Sequence, residues 1–395
     1  MKRIYLDYAA LTPIDPKVIR EMKRFSAKRY GNPSALHTEG VLAKNGLIEA
    51  RNRISKSLNA HSDEIIFTSG GTEANNLALE GVLGAVSKPH IIISAIEHAS
   101  IMETALALEK KGCEITRVPV DADGIILIDE LQKALRPNTI LVSIMSVNNE
   151  TGAIQPIREV MKVVRNFRRK NPANGAYPLV HTDACQGFLY GSDEIEMNME
   201  KLGVDMLTLD GAKVCGPRGI GILYVRRGVK LESVMHGGGQ ERGLRSGTEN
   251  LPAIAGFAKA LEMGVALREK ETARLALLRA QFVEGLTKCA VPITVNASKR
   301  AAPHILNVSI SNGIISNTAQ VASIDSEFFL LQLDAAGIAC STKSSCLRDS
   351  DESYVLAAMG VDSKHSLRFS FGRFTTKKEI TKTLKIIDET LKNSL

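Results

Sequence analysis

Short runs of β-branched and other apolar residues alternate along the chain with longer stretches whose apolar positions recur every three or four residues. The short runs predict strands at Glu64–Thr68, His90–Ser94, Glu114–Val118, Thr139–Val147, Leu179–Thr182, Met206–Leu209 and Gly219–Val225. The longer stretches predict helices, among them Thr72–Val86, Ser100–Lys111 and Ile157–Arg169. Such alternation implies an α/β fold with a mostly parallel sheet of seven strands, covered on both faces. Ligands of such sheets collect at the carboxyl ends of the strands. Around Asn250–Pro252 the pattern changes to one long helical stretch, roughly Ala253 to Lys288, followed by Ile305–Ile310, a helix around Glu327–Ala336, and Ser366–Phe371. This second part reads as a smaller α+β domain.

Composition narrows the class. With 395 residues, 44% hydrophobic and 24% charged, the chain can bury a large core. No apolar run reaches the roughly 18–20 residues of a spanning helix, so no membrane partner is expected. The N-terminus turns acidic at Asp7, too early for a secretory segment. The net charge of +7 is spread out, tryptophan is absent, and no direct nucleic-acid partner is expected. The six cysteines form no CxxC pair and do not cluster with histidines, so no metal site is expected and free thiols in the cytoplasm fit best. By default each cysteine is a small buried hydrophobe.

Several polar groups fall at predicted strand ends. Thr68-Ser69-Gly70-Gly71-Thr72 opens a helix, where backbone N–H groups and the Thr72 hydroxyl suit an anion, or simply cap the helix. His98 follows the His90–Ser94 strand, and Asn148-Asn149 ends another in a turn-prone sequence. Asp183 ends a buried strand, where a carboxylate needs a cation unless it caps the next helix; Gln186 follows it. Lys213 lies between a hydrophobic strand and Gly216-Pro217, where desolvation would favour a neutral amine. The glycine-rich stretch His236–Thr248 suggests a loop close to an anion. Cys346 lies in a polar stretch between Lys343 and Arg348, which would favour its thiolate. Arg368 could grip a carboxylate.

Together, in this order, these motifs resemble the NifS/IscS-like cysteine desulfurases, which belong to class V of the pyridoxal-phosphate-dependent aminotransferases. The resemblance runs from Tyr5-Leu6-Asp7-Tyr8-Ala9-Ala10, through Gly31-Asn32-Pro33-Ser34, Val147-Asn148-Asn149-Glu150 and Gly237–Gly243, to Arg245-Ser246-Gly247-Thr248 and Arg368–Thr376. It implies a fold-type-I transferase with an N-terminal segment (1–12) joined to the small domain, a large cofactor domain (13–255) and a small C-terminal domain (256–395) that carries the nucleophile loop. It implies Lys213 as the Schiff-base lysine, Asp183 on the pyridine nitrogen, His98 stacked on the ring, and Gln186 on the ring hydroxyl. Gly71 and Thr72 would hold the phosphate, helped by Thr248 from the second subunit of a homodimer. Asn149 and Arg368 would hold the substrate carboxylate, with Asn149 also in the cofactor pocket. Cys346 would take sulfur from L-cysteine, leaving L-alanine, and pass it to an iron–sulfur scaffold or a tRNA-thiolation enzyme.

The same residues could also serve a selenocysteine lyase, an aminotransferase or a non-catalytic relative. The family's usual Ser-x-His-Lys reads Asp210-Gly211-Ala212-Lys213 here. Ala212 lacks a donor worth about 1.5–3 kcal/mol to a charged group. An ionised Asp210 at ~4 Å from a phosphate costs about 4 kcal/mol per unit charge at an effective dielectric of ~20. Asp210 therefore turns away, is protonated, is compensated by a cation such as Arg245, or weakens cofactor binding. Leu11 replaces a usual threonine, Gly71 a usual alanine, and Lys343 a usual glycine. The loop after Cys346 is about one residue short, and the sequence ends at Leu395 without the extension of scaffold-binding members.

Overall fold

The computed structural model describes residues 3–85, 88–191, 197–289, 291–296, 300–310, 325–342 and 352–394. Cys346 and its neighbours from Lys343 to Asp351 lie outside them.

The large sheet has seven strands in the order Ile65–Thr68, Gly221–Val225, Met206–Asp210, Leu179–Asp183, Thr139–Ser143, His90–Ser94 and Glu114–Val118. Only Gly221–Val225 runs against its neighbours. The sheet is the mostly parallel one expected from the alternation of strand and helix. Its inner strands are buried along their whole length, which suits runs such as Ile91-Ile92-Ile93 and Ile140-Leu141-Val142. The carboxyl ends of Ile65–Thr68, Met206–Asp210 and Leu179–Asp183 share one edge. Thr68 and Asp210 flank Gly221 in register from either side. A Cβ on Gly221 would lie 2.7 Å from the Gly70 carbonyl carbon, so only glycine lets the two strand ends approach here.

Several element ends differ from those predicted. The Thr139 strand stops at Ser143, not Val147: the Ile144 and Ser146 N–H groups still donate to the His181 and Asp183 carbonyls, while Val147 bridges to Ile154 of the returning chain. The helix after Gly70 spans Gly71–Glu80, ending before the predicted Val86. The long helix runs Leu251–Leu286, started by Pro252 in its first turn and by the Asn250 side chain, which accepts from the Ala253 N–H. Its first half buries small residues against the helices Pro16–Lys28 and Thr38–Leu58. A Cβ on Gly256 would meet Met22 at 2.5 Å, so the close packing there requires glycine. Its second half enters the smaller unit, where Phe282 meets Phe369 and Phe371 edge-on at 5.0 and 5.5 Å.

The smaller unit holds an antiparallel sheet ordered Ser366–Ser370, Ile305–Ile310, Ile293–Val295, with the helix Lys377–Ser394 against the long helix. Near the N-terminus, Ile4–Tyr5 pairs in parallel with Ile338–Ala339 of this unit, and Asp7 bridges to Ser370. The chain then crosses to the large sheet, where Thr12 donates to the Ala212 carbonyl at 2.7 Å. Residues 6–12 thus lie between the small sheet and the strand ends of the large one. Glu241, buried and with φ of 46°, accepts from Arg51 and from the Phe67 N–H, pinning the glycine-rich loop to the sheet.

Candidate active site

A cleft of ≈ 740 Å³, including its open mouth, lies at the strand ends. Lys213, His98, Asp183, Gln186, Asn149, Gly71, Thr72 and Arg368 all line it. Thr248 does not line it and is exposed.

Asp183 ends its strand at the cleft floor, buried. Its Oδ2 accepts from Asn75 Nδ2 at 2.8 Å and its Oδ1 from the Cys185 N–H at 3.0 Å. Both donors are neutral, and among the described residues Asp183 makes no ion pair. Asn75 Nδ2 also lies 2.8 Å from Ser100 Oγ, which in turn sits 2.9 Å from His98 Nδ1. The Ser100 backbone N–H donates to the same Nδ1 at 3.1 Å, so in the neutral ring the proton sits on Nε2. His98 caps the helix Ala99–Lys110, which fixes the ring at the cleft wall.

Opposite stands Lys213, in the turn Gly211–Lys213 that follows the strand Met206–Asp210. Its Nζ donates to the carbonyls of Ala10 at 2.6 Å and Ala9 at 3.1 Å. Gln186 Nε2 shares the Ala9 carbonyl at 2.9 Å. The N-terminal segment therefore supplies acceptors that hold the lysine amine within the cleft.

Arg368 comes from the small sheet and is only 2% exposed. One Nη donates to the Asn149 carbonyl at 2.9 Å and the other to Asp7 at 2.8 Å. Its Nε is buried without a partner. A buried guanidinium with one donor unused suits an incoming acceptor such as a carboxylate.

At the other end of the cleft, Asp210 turns inward. Its Oδ2 accepts from the Gly71 N–H at 2.9 Å and its Oδ1 from the Ala212 N–H at 2.7 Å. Arg245 does not compensate it, because Arg245 pairs with Glu73 at 2.7 Å. Burial works to raise the Glu73 carboxyl, but Arg245 and Ser69 outweigh it and hold it below the usual range. Cys185 also lines this end; burial and then the Asp183 and Asp210 carboxylates push its thiol well up, so it stays protonated.

Sequence reasoning did not single out Asn75, Ser100, Asp7 or the Ala9 and Ala10 carbonyls. Asn75 carried a signal. It is a polar residue among the buried positions Ala74, Leu77 and Ala78 of one short helix, where an amide needs a partner. Nothing local marks the backbone carbonyls of Ala9 and Ala10.

Behind His98, burial pushes the fully enclosed Glu97 carboxyl up to about 8, despite hydrogen bonds from Ser94 and the Met145 N–H. The folded protein then keeps a proton that the unfolded chain has released above about 4.5. Stability must fall as pH rises through that window. The buried His181, pushed down to about 4 by burial, has the opposite sign and costs stability as pH falls below 6.5. Melting temperature measured from about pH 5 to pH 8 is expected to decline more steeply for the wild type than for Glu97→Gln, which cannot ionise. Parallel curves would contradict the neutral Glu97.

Residues 4–383 match the aminotransferase class-V family, and the chain belongs to it. Within that family its relatives are the NifS/IscS-like cysteine desulfurases. Cysteine desulfurase IscS of Dictyoglomus turgidum is 41% identical over 396 residues, covering 98% of this chain and 94% of that one. The mitochondrial cysteine desulfurase of Saccharomyces cerevisiae is 40% identical over 399 residues, covering 98% of this chain and 75% of its own length. Among solved structures, a NifS-like protein superposes with a TM-score of 0.88 at 35% identity, covering 99% of this chain and 100% of that one. SspA, solved in complex with cysteine, gives 0.78 at 32% identity, covering 94% and 99%. No described helix is long and apolar enough to cross a membrane.

Proposed function

We propose that this chain is a cytoplasmic cysteine desulfurase, converting L-cysteine to L-alanine with pyridoxal 5'-phosphate in the cleft. The observation that carries this reading is one cleft holding three things. They are a buried carboxylate without a cation (Asp183), a lysine amine (Lys213) and a buried guanidinium with an unused donor (Arg368). The ring end fits a protonated pyridine, which would be the cation Asp183 lacks. The phosphate end fits less well, because Asp210 already takes the Gly71 N–H.

Bound there, the cofactor would supply an electron sink for the substrate's α-carbon. Asp183, oriented by Asn75 and the Cys185 N–H, keeps the pyridine nitrogen protonated. His98, with its proton on Nε2, and Gln186 would hold the ring from the cleft wall. Arg368 and Asn149 hold the substrate carboxylate. Lys213 would hold the cofactor, and its amine is placed to move the α-proton. With the Gly71 N–H taken by Asp210, Thr72 and Thr248 of a second copy in a homodimer would be left to serve the phosphate.

Cys346 is the sulfur acceptor. Its thiolate attacks the substrate sulfur, the carbon–sulfur bond breaks, and the carbon keeps the electron pair and takes a proton. The products are L-alanine and a Cys346 persulfide, and the persulfide sulfur passes to an iron–sulfur scaffold or tRNA-thiolation protein. Protein incubated with cysteine and pyridoxal phosphate is expected to form alanine. Cys346→Ser is expected to lose that activity while still binding cofactor. Undiminished alanine formation in Cys346→Ser would remove Cys346 as the sulfur acceptor, whereas amino-group transfer from cysteine without alanine would point to an aminotransferase.

A further inference from the structure

The departures from the family pattern around the lysine meet in space. Asp210 sits at the strand end beside Gly70-Gly71, with the side-chain-free Gly221 between the two strands. Its carboxylate takes the first N–H of the ten-residue helix Gly71–Glu80 and, with its other oxygen, the Ala212 N–H. A Cβ on Gly71 would stand 3.3 Å from Asp210 Oδ2 and 3.1 Å from Cys185 Sγ. The glycine that replaces the usual alanine therefore leaves room for the carboxylate.

A helix N-terminus attracts anions, and here the protein provides one of its own on the first N–H. Among the described residues no cation reaches that place by a hydrogen bond or ion pair. Asp210 makes no ion pair there, Arg245 is held by Glu73, and Lys213 is held by the Ala9 and Ala10 carbonyls. Ala212 offers no side-chain donor. We propose that Asp210 is an internal anion occupying the phosphate cradle, so that this pocket binds pyridoxal and pyridoxal phosphate with similar affinity. The proposal rests on the reading that the cleft holds a pyridoxal cofactor.

Two substitutions test it. Asp210→Asn removes the charge at constant size, and Asp210→Ser also opens the cradle. Affinity is measured by equilibrium dialysis against each form of the cofactor, with the bound cofactor released into alkali and quantified. This readout requires neither turnover nor attachment to Lys213, and melting curves confirm that the variants fold. Pyridoxal's internal ring closure in solution affects all three proteins equally and cancels.

In the wild type the two dissociation constants are expected to agree within about tenfold. In either variant the preference for the phosphorylated form is expected to rise at least tenfold, about 1.4 kcal/mol, while pyridoxal binding stays unchanged. Pyridoxal phosphate bound only by the variants would be the extreme form of that support. Both forms binding to all three proteins with a preference that changes less than tenfold would overturn the inference and leave the cofactor reading standing. Neither form binding to any of them would overturn both.

Discussion

Lys213→Ala is expected to lower alanine formation from cysteine by about 10³-fold or more, because a positioned proton-transfer group contributes on the order of 10²–10⁴ and this one, on the proposed reading, would also attach the cofactor. The geometry supports a dedicated role. Lys213 Nζ is held by two carbonyls of the N-terminal segment and makes no ion pair among the described residues. The visible absorption band of cofactor bound to lysine should vanish in the variant, while dialysis still detects cofactor held by Asp183, His98 and Gln186. The lost hydrogen bonds to Ala9 and Ala10 should cost about 1 kcal/mol each. Activity within tenfold of wild type would sink the assignment of Lys213.

Arg368→Gln is expected to reduce kcat/KM for cysteine by about 10²-fold, since each hydrogen bond to a charged group is worth about 1.5–3 kcal/mol. The loss should fall mainly on KM, because the guanidinium holds a carboxylate that does not react. Stability should drop too, by roughly 3 kcal/mol, because Asp7 loses its partner. Asp7→Asn separates the two effects. It removes the same ion pair but keeps the guanidinium, so it should destabilise the fold while KM rises only a few-fold. Equal KM changes in both variants would reduce Arg368 to a structural residue.

The cleft residues Asp183 and Lys213 were legible in the sequence because strand ends are legible. A buried run that stops at a carboxylate, as at Asp183, or at a lysine before Gly-Pro, as at Lys213, places those groups on the ligand edge of a parallel sheet. What joins them was harder to read. The Asn75–Ser100 link between Asp183 and His98 spans two helices and one strand, and no local pattern announces it. Strand ends drifted where tertiary contacts overruled propensity, as at residues 144–147, whose backbone is shared between the neighbouring strand and the returning chain.

Asp210 shows the division most plainly. The sequence alone determined that a carboxylate and an alanine stand where donors to a phosphate are usual, and it left four consequences open: turned away, protonated, compensated or weakening. Tertiary structure excluded two of them. The side chain points inward onto the Gly71 N–H, and Arg245 is committed to Glu73. The physical reason is register: Thr68 and Asp210 flank the same glycine, Gly221, across three strands brought together from distant parts of the chain. Periodicity predicts each strand by itself, since burial of one segment sets its own pattern. Which strand ends meet, and so which N–H a carboxylate finds, is decided only when the sheet is assembled.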